Sequence, residues 1–300
     1  MNGKPFANVF VVGMLSMLVA IRSASGQESP FGQNYAGPEW AWASVYGEDC
    51  LKPVPGKVVS KGPWQVDTNH VEYSMLVGPL IIWTNGYLPG PCKGEKDRKG
   101  IPGPLDLSRA TLRLGLQITN EKDGGERDFT TSTRLHFFFQ TKLPKSEATT
   151  SLVRDNIPGH IHMQPPLDRV PERIAVYVFN YDILTDVLHQ SRKGKVVSLK
   201  LSSDMRDWTC LGRDATDVTR TPPVADTLVS AAKYTCAVSQ AEFEKAASAV
   251  NVNVGLLSLL NTHDEAGNRI GWLHPKPNKT FAFGKTQFEL SEFTLEKRDQ

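Results

Sequence analysis

Along this chain, apolar and polar residues alternate with period two far more often than they recur at helical spacing. From Thr111 to Thr119, Leu112, Leu114, Leu116 and Ile118 alternate with Thr111, Arg113, Gly115 and Gln117. In a strand that pattern puts all four aliphatic side chains on one face. Lys195 to Leu201 alternates in the same way, with Val197, Leu199 and Leu201 inward, and Trp208 to Gly212 reads as a short continuation of that sheet. Arg134–Thr141 (RLHFFFQT) and Glu172–Asn180 (ERIAVYVFN) are instead nearly continuous apolar runs, the signature of strands buried on both faces. His70–Trp83 holds two apolar runs broken by Gly78-Pro79, which predicts two short strands or one strand with a bulge. In Gln287–Glu296 two phases meet: Phe288 and Leu290 share one face, Phe293 and Leu295 the other, and a bulge near Ser291 reconciles them. One segment reads as a helix. Ser239-Gln240-Ala241-Glu242 has the form of a capping box, and Phe243, Ala246, Ala247 and Val250 follow at helical spacing.

The first residues read differently. Lys4 precedes the uncharged, mostly apolar stretch Phe6–Ile21, and Ala24-Ser25-Gly26 offers small residues for cleavage. Residues 1–26 are therefore expected to be a secretory signal, because 16 residues fall short of the roughly 20 that span a bilayer. No later stretch is apolar for long enough to cross a membrane, so a secreted or periplasmic protein without stable membrane insertion is expected. Of 300 residues, 34 are Lys or Arg and 32 are Asp or Glu. Loss of Lys4 and Arg22 with the signal brings the two counts level. A chain without net positive charge is not built around a polyanion, so nucleic acid is not the expected partner.

Four cysteines remain, Cys50, Cys92, Cys210 and Cys236, with no C-x-x-C pair among them. An even number in an exported chain predicts disulfides. Three connectivities are open, and Cys50–Cys92 with Cys210–Cys236 closes the most local loops. Residues 27–62, rich in Gly, Pro and polar side chains, read as an extended arm laid over a domain spanning residues 63–300. Many short strands, turn signals between them and one helix predict an all-β fold: a two-sheet antiparallel β-sandwich with one short peripheral helix.

Two segments carry a resemblance. Leu105-Asp106-Leu107-Ser108-Arg109-Ala110-Thr111-Leu112 resembles the entry into the jelly-roll domains of bacterial secreted proteins, and Phe288-Glu289-Leu290-Ser291-Glu292-Phe293-Thr294-Leu295 resembles their closing strand. Concanavalin-like and galactose-binding-like sandwiches share this layout. The resemblance implies a fold more than a function, because such sandwiches host binders, lyases and glycosidases alike.

Several enzyme classes are without their signatures here. G-x-S-x-G, a Walker loop, G-x-G-x-x-G and H-E-x-x-H do not occur. His160-Ile161-His162 would present two imidazoles on one face of a strand, a start toward a metal site that still needs further ligands. No cofactor is expected, with calcium the ion to test. Glycosidase chemistry needs two carboxylates. Glu289 with Glu292, and Asp182 with Asp186, are close in sequence, yet the E-x-D-x-x-E signature of concanavalin-like glycosidases is missing. Glu289 and Glu292 are read as solubilising charges on an edge strand. Arg134, His136 and Gln140 alternate along one strand face and would suit a polysaccharide lyase, which needs a base and a cation beside a uronate. Trp40, Trp42, Trp83, Tyr87 and Trp272 sit beside turn residues, where exposed aromatic faces stack on sugar rings. The leading expectation is a non-catalytic binder of carbohydrate or a similar extracellular ligand. A polysaccharide-active enzyme and a structural envelope-associated protein are the alternatives.

Overall fold

The computed structural model describes residues 29–44, 52–67, 77–84, 99–121, 123–143, 173–191, 195–211, 240–260 and 280–299. In chain order the elements begin with β1 (Ala43–Ser44), β2 (Lys52–Val54), β3 (Lys57–Lys61), β4 (Trp64–Asp67), β5 (Val77–Thr84) and β6 (Ala110–Glu121). They continue with α1 (Phe129–Ser132), β7 (Thr133–Leu143), β8 (Arg173–Phe179), α2 (Leu184–Ser191), β9 (Val197–Lys200) and β10 (Trp208–Leu211). The last are α3 (Gln240–Ala247), β11 (Asn253–Leu260), β12 (Thr280–Phe283) and β13 (Lys285–Lys297). The fold is all-β, with antiparallel sheets and few helices. One sheet has six strands in the order β1-β5-β11-β7-β8-β10, another has five in the order β2-β3-β13-β6-β9, and β12 pairs with β4. Among the described residues no helix is long and apolar enough to cross a membrane.

The two large sheets share one apolar cluster. Leu112, Leu114, Phe293 and Leu295 enter it from the five-stranded sheet, and Phe137, Phe139, Tyr177 and Leu256 from the six-stranded sheet. The rings of Phe137 and Phe293 stack between the sheets, with centroids 6.4 Å apart. Trp208 lies at one side of the cluster, 5.0 Å from Phe139 and 4.9 Å from Phe179. Helix α3 covers that region through Phe243, whose ring is 5.3 Å from Tyr177.

The opposite faces of the sheets differ in the way the sequence patterns imply. On the five-stranded sheet the alternating strands leave a polar face, where Arg113 pairs with Glu292 at 2.8 Å and Glu296 at 3.5 Å, and Lys57 pairs with Glu289. Glu289 and Glu292 do serve as surface charges, but β13 is an interior strand between β3 and β6 rather than an edge. In the six-stranded sheet the described side chains of β5, β11 and most of β7 are buried on both faces. Leu135, Phe137 and Phe139 of β7 point into the shared cluster, while His136, Phe138 and Gln140 point the other way and are equally enclosed. Phe138 and Trp83 flank Gly255 across the ladder on that second face. A Cβ on Gly255 would lie 1.9 Å from the Ile82 carbonyl oxygen, so only glycine permits this strand spacing.

The phase change in β13 is a register shift between Leu290 and Glu292 against β6, as expected around Ser291. The shift lets Phe288, Leu290, Phe293 and Leu295 all reach the core. It is held from the side by Asn34, whose Nδ2 donates to the Ser291 carbonyl and whose Oδ1 accepts from the Phe293 N–H, both at 3.0 Å.

Three expectations differ from what is observed. The described part of the expected arm, residues 27–62, is not only an overlying arm: Tyr35 and Trp42 are core residues, β1 joins the six-stranded sheet, and β2 and β3 form an edge of the five-stranded one. Strands β9 and β10 do not continue one sheet but lie in different ones, because the chain crosses over between Leu201 and Trp208. Beside the expected helix, found as α3, there are α1 and α2. In both cases an aspartate supplies the start: Asp128 accepts from the Thr130 N–H at 2.7 Å, and Asp182 from the Leu184 N–H at 3.0 Å.

Candidate functional site

Three of the tryptophans named from sequence as sugar platforms, Trp40, Trp42 and Trp83, are enclosed. Trp42 is fully buried, packs edge-on against Phe293 at 5.0 Å, and donates its indole N–H to the Tyr35 carbonyl at 2.6 Å. Trp40 is buried edge-to-face with Tyr35 at 4.6 Å. Trp83 is 2% exposed on the second face of the six-stranded sheet. None of the three presents a ring face to solvent. Tyr87, Trp272, His160, His162, Cys50, Cys92 and Cys236 lie outside the described residues. Cys210 falls in β10, in register with Tyr177 of β8. Among the described residues no group of three or more His, Cys, Asp and Glu side chains could hold a metal ion.

Arg134, His136 and Gln140 do share one face of β7, yet they do not line an open groove. His136 is 1% exposed and Gln140 is fully buried, with its Oε1 accepting from Asn253 Nδ2 at 2.6 Å. A polymer cannot reach the His136 ring through such cover. Instead the imidazole serves the neighbouring chain. Its Nδ1 lies 2.9 Å from the Phe179 carbonyl oxygen and 3.0 Å from that of Tyr181. Carbonyl oxygens only accept, so Nδ1 carries the proton and donates to both. The other nitrogen, Nε2, is buried and has no hydrogen-bond partner among the described residues. Burial holds the imidazole below its ordinary range. The Asp182 carboxylate and the two carbonyls pull it partly back, and Arg134 adds to the depression.

The carbonyls that His136 holds belong to the turn between β8 and α2, and that turn is tied to β7 by two further contacts. Asp182 Oδ1 accepts from the Leu135 N–H at 2.9 Å, and the Ile183 N–H donates to the Leu135 carbonyl at 2.8 Å. Strand β8 ends at Phe179, and from there side chains replace the ladder: the imidazole supplies a donor and the carboxylate an acceptor. On the other flank, the Asn180 N–H donates to the Asp207 carbonyl at 2.8 Å. The turn is thus fixed on both sides.

At its apex stands Tyr181. With 48% exposure it is one of two large hydrophobic side chains that remain exposed among the described residues, the other being Val54. Its hydroxyl donates to Asp186 Oδ2 at 2.7 Å, which pins the ring against α2 and raises the phenol above its ordinary value, since the carboxylate favours the protonated form. Its ring is tilted against Phe179, with centroids 6.5 Å apart. The result is a fixed aromatic face in water beside two carboxylates, those of Asp182 and Asp186. The close carboxylate pair noticed in the sequence therefore frames an aromatic ring, while its members carry structural hydrogen bonds.

Sequence reading passed over Tyr181, although the signal was present. Asn180-Tyr181-Asp182 follows the apolar run of β8 and precedes Ile183, Leu184, Val187 and Leu188 at helical spacing. An aromatic residue between a strand end and a helix cap meets the same criterion that singled out Trp83 and Tyr87.

Comparison with protein-family models, with curated proteins and with solved structures returned no match.

Proposed function

We propose that this is a secreted or periplasmic β-sandwich protein of the jelly-roll kind that binds carbohydrate, or a similarly hydroxylated extracellular ligand, without catalysis. The observation that carries the reading is Tyr181, an exposed aromatic ring held in a fixed orientation by Asp186. Sugar rings present C–H groups that stack on such a face, while carboxylates at its edge accept hydrogen bonds from hydroxyls. A pinned ring loses little side-chain entropy on binding, which favours a ligand that offers few contacts. Two antiparallel sheets around a shared core support the sandwich, and the segment Lys4 to Gly26 supports export.

A glycan array probed with the mature protein, with and without calcium, tests this reading. Retention of one structural class of glycan is the expected result, and no retention across a broad panel would overturn it.

A further inference from the structure

We propose that His136 is an acid-sensitive latch: its protonation releases the turn that displays Tyr181. The consequence for ligand binding rests on the reading of Tyr181 as the platform, but the latch itself is a property of the turn.

The two nitrogens of the ring meet different surroundings. Nδ1–H holds the carbonyls of Phe179 and Tyr181, the residues at which β8 leaves the sheet. Nε2 is the remaining site for a proton, and it is buried with no acceptor among the described residues. Adding a proton there creates both a charge and an unpaired donor inside the protein, a combination that is relieved only by hydration. To reach water the ring must swing out, and then both carbonyls lose their donor. The charged groups acting on the ring among the described residues are Asp182 from the turn, which favours the cation, and Arg134 from β7, which opposes it. From β11 the neighbour in register is Leu257, which offers no compensation. Asp182 and the two carbonyls all belong to the turn, so opening takes the imidazolium away from the groups that favour its charge and leaves solvent to stabilise it.

The latch has a defined direction. In the opened turn the ring regains its ordinary affinity for protons, near pH 6.5. In the closed turn burial keeps it lower. Protons therefore bind the open form preferentially, and the open population rises about tenfold for each pH unit below about 6.5, until the closed form also titrates.

Hydrogen exchange of the full-length mature protein reads this without any ligand. The Ile183 amide, which bonds to the Leu135 carbonyl, reports the turn, and the Val250 amide, bonded to the Leu105 carbonyl, reports an isolated bridge outside the turn. After correction for intrinsic exchange, protection at Ile183 is expected to fall about tenfold between pH 7.5 and pH 5.5, with Val250 unchanged. In His136→Asn, which keeps a donor near the Nδ1 position and does not titrate, Ile183 protection is expected to be independent of pH. Unchanged protection at Ile183 in the wild-type protein would overturn the latch, as would an equal fall in His136→Asn. If the variant does not fold, the wild-type comparison of Ile183 with Val250 decides alone. Failure here leaves the platform reading standing, and failure of the glycan array leaves the latch standing.

Discussion

The imidazole of His136 and the backbone of Tyr181 are joined by a hydrogen bond of 3.0 Å, so a fully enclosed side chain fixes the most exposed aromatic residue described. The same ring sets a pH dependence for the whole fold. Its folded-state proton affinity is depressed, so the unfolded chain takes up the proton first as pH falls. The stability that neutral His136 contributes is complete above about pH 6.5 and is lost as pH falls toward the folded value, at up to about 1.4 kcal/mol per pH unit. Urea denaturation at pH 7.5 and 5.5 is expected to show a larger loss for the wild-type protein than for His136→Asn. Equal losses would mean that other groups carry the acid sensitivity.

Much of the β architecture was legible because burial on one face or on two writes different patterns. The alternation around Leu112–Ile118 and Val197–Leu201 marked strands with one wet face, and RLHFFFQT marked a strand enclosed on both sides. The phase break at Ser291 was legible for the same reason, since four core residues cannot share one face of an unbroken strand. What escaped was tertiary. Nothing local states that Trp42 packs against Phe293 of β13, or that β9 and β10 lie in different sheets. Helix α2 is only eight residues long, and its cap Asp182 forms with Asp186 a pair that in sequence also suits carboxylate chemistry. The histidine of β7 was correctly placed on one face with Arg134 and Gln140, but exposure of that face depends on chain that is remote in sequence.

Asn34 ties residues 29–42 to the irregular stretch of β13 through its contacts with Ser291 and Phe293, and it also accepts from the Ala36 N–H at 3.0 Å. Asn34→Ala removes all three. A loss of about 1–2 kcal/mol in chemical denaturation is expected, because the site is partly wet and water replaces some of the bonds. Limited proteolysis should cut the segment before Trp42 faster in the variant. An unchanged midpoint and unchanged cleavage would show that core burial of Tyr35 and Trp42 alone secures the arm.

Gly255 gives a sharper contrast. In Gly255→Ala the new methyl would overlap the Ile82 carbonyl, so β5 and β11 must separate in the middle of a sheet. A cost above about 3 kcal/mol, or failure to fold, is expected from such overpacking. Gly124→Ala is the control, since nothing lies within 4 Å of its Cβ position and its φ is ordinary. There the midpoint should hold or rise by about 0.5 kcal/mol. Similar behaviour of the two variants, followed by thermal melts, would contradict the close approach of the strands.

Calorimetric titration of a glycan retained on the array tests the proposed Tyr181 platform most directly. Wild-type protein, Tyr181→Phe and Tyr181→Ala are compared at pH 7.5, with circular dichroism confirming that each is folded. Tyr181→Phe keeps the ring and loses only the bond to Asp186, so its affinity should stay within about threefold of wild type. Tyr181→Ala removes the stacking face and should weaken binding by about fivefold or more, the equivalent of about 1 kcal/mol. Wild-type affinity in a folded Tyr181→Ala protein would contradict the account.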